Sequence, residues 1–373
     1  MNNERLMDFK KLFEKEAIPN DVAVIKFLKE SALPVVIYGV SLDVADQIVK
    51  NLLCNNITVS FVAYDEDCPM MTEATIFLKN TEIIHTKDID KRIPAYNVIP
   101  GFVKGYFNLN AISSKFKHAK SVSYLSEIFD LEIISLSFIE ENRVFLENFY
   151  ENLQDQHSKD SFAAYLLSKV QQDMKYLPPI FEKNQYFPQG IFDLTDNESY
   201  FDCGAFTGDT IAAFLQTTGG LYRRIWAVEP DKSNYKQLIQ YITDKKLSNI
   251  EVVNKGIYSY TGKLPFQETG SMLSMITDDS DEYIETDTID HIADGNPVTY
   301  IKMDVEGVEL SALKGAEQTI KKYKPILGIS IYHKQSDLID IPQYIQEIVP
   351  EYKFYFRVHK KLAIDTVLYG IPQ

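Results

Sequence analysis

The chain has 373 residues, 45% hydrophobic and 24% charged, the composition of a folded globular protein long enough for two cores without disulfides or a structural metal. Its 38 basic and 53 acidic residues give a formal charge of -15, which argues against nucleic-acid binding through a general basic face. The amino-terminal stretch MNNERLMDFKKLFEKEA carries charges where a signal peptide is apolar, and no run of about 20 apolar residues is long enough for a membrane span, so a cytoplasmic chain is expected. Three widely spaced cysteines, Cys54, Cys68 and Cys203, are expected to be reduced and buried. The six histidines form no paired-ligand motif, and no histidine–cysteine metal site is expected.

From Pro34 the sequence VVIYGVSLDVADQIVKNLLCNNITVSFVAYDED reads as a strand, a turn at Gly39, a helix and a second strand closing on Asp65 and Asp67. A single glycine stands where a dinucleotide fingerprint has three, so this Rossmann-like amino-terminal α/β domain, residues 1–130, is expected to bind no dinucleotide. IFLKN, EIIHT and YNVIP are further short strand candidates. Residues 131–185 turn to helix period in SFIEENRVFLENFYENL and, after SKDS, FAAYLLSKVQQDMKYL, ending at Pro178 and Pro179. They are expected to form a helical connector.

Residues 186–373 alternate strand and helix patterns in the manner of a doubly wound sheet. Strands are expected at YFDCG, RIWAVEP, IEVVNKG, YIKMDVEG and ILGISIYH, and helices at DTIAAFLQTT, DKSNYKQLIQYITDKK, ELSALKGAEQTIKKY and IPQYIQEIVP. YKFYFRVH and DTVLYGI then close the chain as an antiparallel hairpin at the sheet edge. Five parallel strands with such a hairpin is the class I methyltransferase layout.

In YFDCGAFTGDT an apolar strand ends at Asp202 and passes through Gly204 and Gly208 into a helix near Thr210. Such a loop suits a ligand with an amino acid end. The strand-end acid Asp202 meets an ammonium, the glycines let the backbone turn and approach, and helix-start amides meet a carboxylate. The next strand ends in Glu229, placed to accept hydrogen bonds from both hydroxyls of an unphosphorylated ribose. S-adenosylmethionine has these parts.

The ordered set FDCGAFTGDT, AVEPD, NKGIYSYTGKLPF, TDTID, YIKMDVEGVELSALKGA and KPILGISIYH resembles the FkbM family of S-adenosylmethionine-dependent methyltransferases over about Tyr186 to Gly370. The resemblance implies methyl transfer, usually to oxygen, on sugars, glycans or secondary metabolites, with S-adenosylhomocysteine as product. By carry-over, Asp202, Gly204, Ala205, Phe206, Thr207, Gly208 and Thr210 belong to the cofactor loop, Glu229 to the ribose, and Asn254, Lys255 and Gly256 to the adenine side. The sequence departs from the family at Phe206, where many members have asparagine, and in SIYH, where many have a glutamate.

For the chemistry, Asp304 closes the fourth strand and His333 the fifth, and both are expected at the ligand crevice, Asp304 also beside the cofactor. His333 is the expected base, because an imidazole titrates near neutral pH, with Asp304 orienting and Glu306 as a further catalytic candidate. Tyr186, Ser271, Ser274, Glu309 and His359 are expected to line the site of a small-molecule or glycan acceptor. No metal is expected, the alternative being magnesium on Asp304 and Glu306. Two other functions fit the same pattern: N- or O-methylation of a non-sugar metabolite, and a non-catalytic cofactor-binding scaffold.

Overall fold

The computed structural model describes residues 20–40, 42–68, 81–102, 109–125, 134–171, 176–267, 275–276, 282–359 and 365–373. The chain divides into two compact units, one holding residues 8–136 and 166–176, the other 137–165 and 177–373.

In the first unit, α1 (Asn20–Ser31), β1 (Val35–Tyr38), α2 (Leu42–Cys54), β2 (Val59–Tyr64), β3 (Glu82–His85), α3 (Thr86–Arg92), β4 (Tyr96–Pro100), α4 (Leu109–Ser113) and β5 (Ala119–Val122) follow in order. The strands form one parallel sheet, β3-β2-β1-β4-β5. Every residue of β1 is buried: Val35 and Ile37 enter one apolar cluster with Ile48 and Leu52, while Val36 and Tyr38 enter another with Ile89 and Phe116. Burial on both faces is why this strand reads as an unbroken apolar run. At its end, a Cβ on Gly39 would lie 2.2 Å from Cys68 Sγ, and Tyr38, Thr86 and Lys115 all bond to Asp65. Cys54 is exposed and Cys68 half-buried, so of the three free thiols only Cys203 is buried as expected. The strand candidate IFLKN lies outside the described residues.

The helices α5 (Leu136–Glu141), α6 (Arg143–Asn152) and α7 (Gln156–Gln171) do not form the separate connector expected over 131–185. α6 and the first part of α7 belong to the second unit, and the rest of α7 to the first. Apolar residues at helical spacing show that a helix packs, but not on which core.

In the second unit, β6 (Ser199–Cys203), α8 (Asp209–Thr217), β7 (Arg224–Val228), α9 (Lys232–Asp244) and β8 (Ile250–Val253) make the first half of a doubly wound sheet. The strands β9 (Gly256–Ile257), β10 (Gly262–Gln267), β11 (Met275–Ile276) and β12 (Tyr283–Asp287) form a small separate sheet, ordered β11-β10-β12-β9 and followed by α10 (Ile289–Ala293). The main sheet resumes with β13 (Tyr300–Met303), α11 (Glu309–Lys314), α12 (Glu317–Tyr323), β14 (Ile326–Ser330), α13 (Asp337–Ile348), β15 (Lys353–Val358) and β16 (Thr366–Ile371). Its order is β15-β16-β14-β13-β6-β7-β8, with β6, β7, β8, β13 and β14 parallel. The closing hairpin is present, but β16 is inserted between β14 and β15, antiparallel to both. The stretch ELSALKGAEQTIKKY is two helices, because Asp290 accepts from the backbone of Gln318 and Thr319 and starts α12 anew.

Aromatic rings fill the core beneath the parallel strands: Tyr200 stacks on Phe214 at 4.5 Å, and Tyr300 sits 5.4 Å from Tyr200. Above this layer the chain leaves β6 at Gly204, with φ of +76° and an added Cβ only 2.0 Å from the Asp304 carbonyl oxygen. The loop after β6 and the loop after β13 are therefore in contact through backbone. Gly204→Ala is expected to cost about 2 kcal/mol or more, from left-handed strain and overpacking against backbone that has no side chain to move. Urea unfolding of the purified variant measures this.

Candidate functional site

The register of β13 against β6 sets Lys302 directly opposite Asp202 on one face of the sheet. Asp202 is fully buried and Lys302 is 2% exposed, and Nζ lies 3.1 Å from Asp202 Oδ1. The ammonium also donates to the carbonyls of Cys203 and Gly204, at 3.1 and 2.5 Å, and lies 5.3 Å from the centre of the Tyr186 ring. Thr210 donates to Asp202 Oδ2 at 2.5 Å. Burial pushes the Asp202 carboxyl above its ordinary range against the pull of Lys302 and Thr210. Burial works against the charge on Lys302 as well, but Asp202, Asp304 and Asp209 hold it above the ordinary lysine range.

Asp202, expected to meet a ligand ammonium, has Oδ1 3.1 Å from the Lys302 ammonium and Oδ2 accepting from Thr210, so within the fold it helps to shape the loop. At Gly208, with φ of +96° at the start of α8, an added Cβ would lie 2.7 Å from the Tyr241 ring, so helix packing and the left-handed turn both call for glycine.

Glu229, just beyond β7, is 6% exposed. Its Oε2 accepts from the Phe206 amide at 2.9 Å and its Oε1 from the Asp231 amide at 3.0 Å. Burial raises its carboxyl to about 7, against these two hydrogen bonds and the charge of Lys302. Each oxygen keeps a further lone pair for a hydroxyl donor. Phe206 takes φ of +46°, the conformation that asparagine adopts with less strain. Gly208, the N-cap of α8, offers no side-chain cap, which leaves first-turn amides for an anionic group. Ala205 is fully buried, while Thr207 is partly exposed at the turn.

The adenine-side candidates are used within the fold. Asn254 donates to the carbonyls of Glu229 and Pro230, Lys255 pairs with Asp287 at 2.8 Å, and a Cβ on Gly256 would lie 2.8 Å from Ile284. Lys255 and Gly256 thus join the main sheet to the small one. Asn254 is exposed and holds the Glu229 loop.

After β13 the backbone turns through Glu306, φ of +55°, and Gly307, φ of +91°. This turn and β14 bring Asp304, Glu306, Glu309 and His333 together. His333 Nε2 lies 3.2 Å from Glu306 Oε2 and 3.7 Å from Asp304 Oδ1, and Nδ1 lies 2.9 Å from Glu309 Oε1. Burial works against charge on the His333 ring, yet Glu309, Glu306 and Asp304 outweigh it and hold the imidazole protonated well above its ordinary range. The expected base is therefore a cation at neutral pH, because three carboxylates surround one imidazole. Asp304 is held below the ordinary range despite burial, by Lys302, His333 and the hydroxyl of Tyr186, which donates at 2.8 Å. Burial raises Glu306, with His333 opposing.

The substrate candidates fare differently. Tyr186 is buried, with its hydroxyl on Asp304 and within 3.0 Å of Ser330 Oγ, so it positions Asp304 and does not face an acceptor. Glu309 is fully buried and accepts from the amides of Val305 and Gly307. His359 has both ring nitrogens within hydrogen-bond reach of the fold, the Glu182 carbonyl at 3.0 Å and the Tyr369 hydroxyl at 2.8 Å. These corrections share one reason: a polar side chain near a strand end is as readily used by the fold as by a ligand. Ser271 and Ser274 lie outside the described residues. Sequence reasoning missed Lys302, although a lysine between Ile301 and Met303 in an otherwise apolar strand is a legible signal.

With this geometry, comparisons with known proteins place the chain. Residues 202–354 match the methyltransferase FkbM domain. The crystal structure of a methyltransferase FkbM from Methylobacillus flagellatus KT is 23% identical, covers 97% of this chain and 96% of its own, and has a TM-score of 0.76. An rRNA methylase from Streptococcus thermophilus is 14% identical over 48% of this chain and 89% of its own, with a TM-score of 0.32. A putative methyltransferase from Streptococcus mutans, in complex with SAH, is 8% identical over 53% and 95%, with a TM-score of 0.31. At such scores the last two carry no argument about this chain. No curated protein matches the sequence. The fold is that of a class I methyltransferase. The match to the methyltransferase FkbM domain runs from Asp202 in β6 to Phe354 in β15 and so spans both loops of the site. Among the described residues no helix is long and apolar enough to cross a membrane.

Removing one member of the buried Lys302–Asp202 pair strands the other charge. Lys302→Met alone is expected to lose about 3 to 5 kcal/mol of stability, and the double variant with Asp202→Asn clearly less. A double-mutant cycle by urea unfolding reads the coupling, and additive losses would show that the pair does not act as a unit.

Proposed function

We propose that the chain transfers a methyl group from S-adenosylmethionine to a hydroxyl of a sugar, glycan or glycoconjugate. The observation that carries the reading is the backbone contact between Gly204 and Asp304, which sets the cofactor loop against a cluster of carboxylates at the ends of β13 and β14. The acceptor class rests on the family resemblance, and oxygen is favoured because that cluster offers proton acceptors.

Glu229 accepts the ribose hydroxyls through its remaining lone pairs, and the uncapped first turn of α8 receives the carboxylate. Asp202 and Lys302 hold the loop in shape from beneath, with Thr210 as the third member. When bound, S-adenosylmethionine supplies a methyl carbon activated by its sulfonium and departs as the neutral thioether. Asp304, ionised and fixed by Tyr186, orients the acceptor hydroxyl. Glu306, whose raised pKa makes it the stronger base of the two, takes the proton as the oxygen bonds to carbon. His333 steadies both carboxylates as a fixed cation.

Two measurements test this. Isotope-labelled cofactor offered with oligosaccharides, with amines and with fractionated cell extract is expected to label a saccharide through an alkali-stable ether, and Glu306→Gln to lower kcat about 100-fold with cofactor affinity kept. Label confined to nitrogen would overturn the acceptor class. Cofactor affinity is also expected to depend on pH. Ribose hydroxyls bind the ionised Glu229, so affinity is full above about 7 and falls toward tenfold per pH unit below it, whereas Glu229→Gln is weaker and flat across the same range. Calorimetry from pH 5.5 to about 8 checks both statements.

A further inference from the structure

We propose that Asp304, Glu309 and His333 form a binding site for one divalent transition-metal ion. Each offers one ligand atom, and the three atoms lie within 4.8 Å of one another. The donor set, one imidazole nitrogen with carboxylate oxygens, suits ions such as Mn²⁺ and Zn²⁺ better than Mg²⁺ or Ca²⁺, which prefer oxygen alone.

Burial and bonding point to a missing partner. The side chain of Glu309 is fully buried and that of His333 is 8% exposed. Glu309 Oε2 and both ring nitrogens of His333 have no hydrogen-bond partner, although the nitrogens lie 2.9 to 3.7 Å from carboxylate oxygens. An imidazole gives one ring nitrogen to a given ion, so one nitrogen of His333 would join one carboxylate oxygen each from Asp304 and Glu309. Neighbouring ligands on bonds of about 2.1 Å are separated by about 3.0 to 3.4 Å, and the three atoms here lie within 4.8 Å of one another.

The surroundings fit a cation. Three carboxylates, of Asp304, Glu306 and Glu309, face one imidazole, while Lys302 is committed to Asp202. Two ligands are already oriented, Asp304 by the Tyr186 hydroxyl and Glu309 by the Val305 amide. The Asp304 side chain is 21% exposed, which leaves the outer side of the site open to solvent and to a further oxygen ligand.

The inference rests on side-chain geometry and not on the methyl-transfer reading, and its test needs neither cofactor nor acceptor. Full-length protein, stripped with chelator, is titrated with Mn²⁺ and free ion is followed by electron paramagnetic resonance. One ion per chain with a dissociation constant below about 0.1 mM is expected, weakened at least about tenfold in Asp304→Asn and in His333→Gln. Electron spin-echo modulation of the wild-type Mn²⁺ complex is expected to show a directly bound imidazole nitrogen, a reading that does not depend on the variants folding. No binding up to about 1 mM, or a bound ion without nitrogen coupling, would overturn the proposal and show that a proton on His333 is the only cation the cluster holds.

Discussion

The buried pair of Lys302 and Asp202 is the interaction on which the rest of the site depends. Neither charge reaches solvent, and each is tolerable there only because the other lies 3.1 Å away. The spare donors of Lys302 reach the carbonyls of Cys203 and Gly204, so the same ammonium that neutralises the strand also fixes where the chain leaves it. Thr210 closes the arrangement from the first turn of α8. A strand end, a loop and a helix start are thereby held by one buried charge.

From that anchor the two loops of the site follow. Gly204 turns against the Asp304 carbonyl, which ties the loop after β6 to the loop after β13. Phe206 and Glu306, each in left-handed conformation, place the Phe206 amide on Glu229 and the Glu306 carboxylate on His333. Strain of this kind persists only where the surroundings over-determine the backbone, and here parallel strands and a buried ion pair do so. The division of labour among the carboxylates comes from the same source. Asp304 stands near Lys302 and stays ionised, while Glu306, buried and set among like charges, is raised.

The fold as a whole gives this arrangement a rigid base. Five parallel strands place the ends of β6, β7, β13 and β14 side by side, and inserting β16 between β14 and β15 covers the far flank of β14. The first unit repeats parallel architecture on a smaller scale, but the end of its central strand is packed by Cys68 and Phe102 and tied to Asp65, so it presents no comparable open loop among the described residues.

The sequence by itself determined the doubly wound sheet, its five parallel strands, the closing hairpin and the identity of the two loops, because these follow from period, glycine placement and acids at strand ends. The place of Glu229 at the end of β7 was legible for the same reason: an acid one residue beyond an apolar strand has few places to go. What only the tertiary structure decided is which partner each polar residue meets. The pairing of Asp202 with Lys302 is of this kind, since register between strands far apart in the chain is invisible in either strand alone. His333 was read as a base from the ordinary pKa of imidazole, but three carboxylates brought from the turn after β13 and the start of α11 reverse its state. Helix membership across 131–185 failed for a related reason, because amphipathic spacing fixes that a helix is buried and leaves the identity of its core to the folded chain.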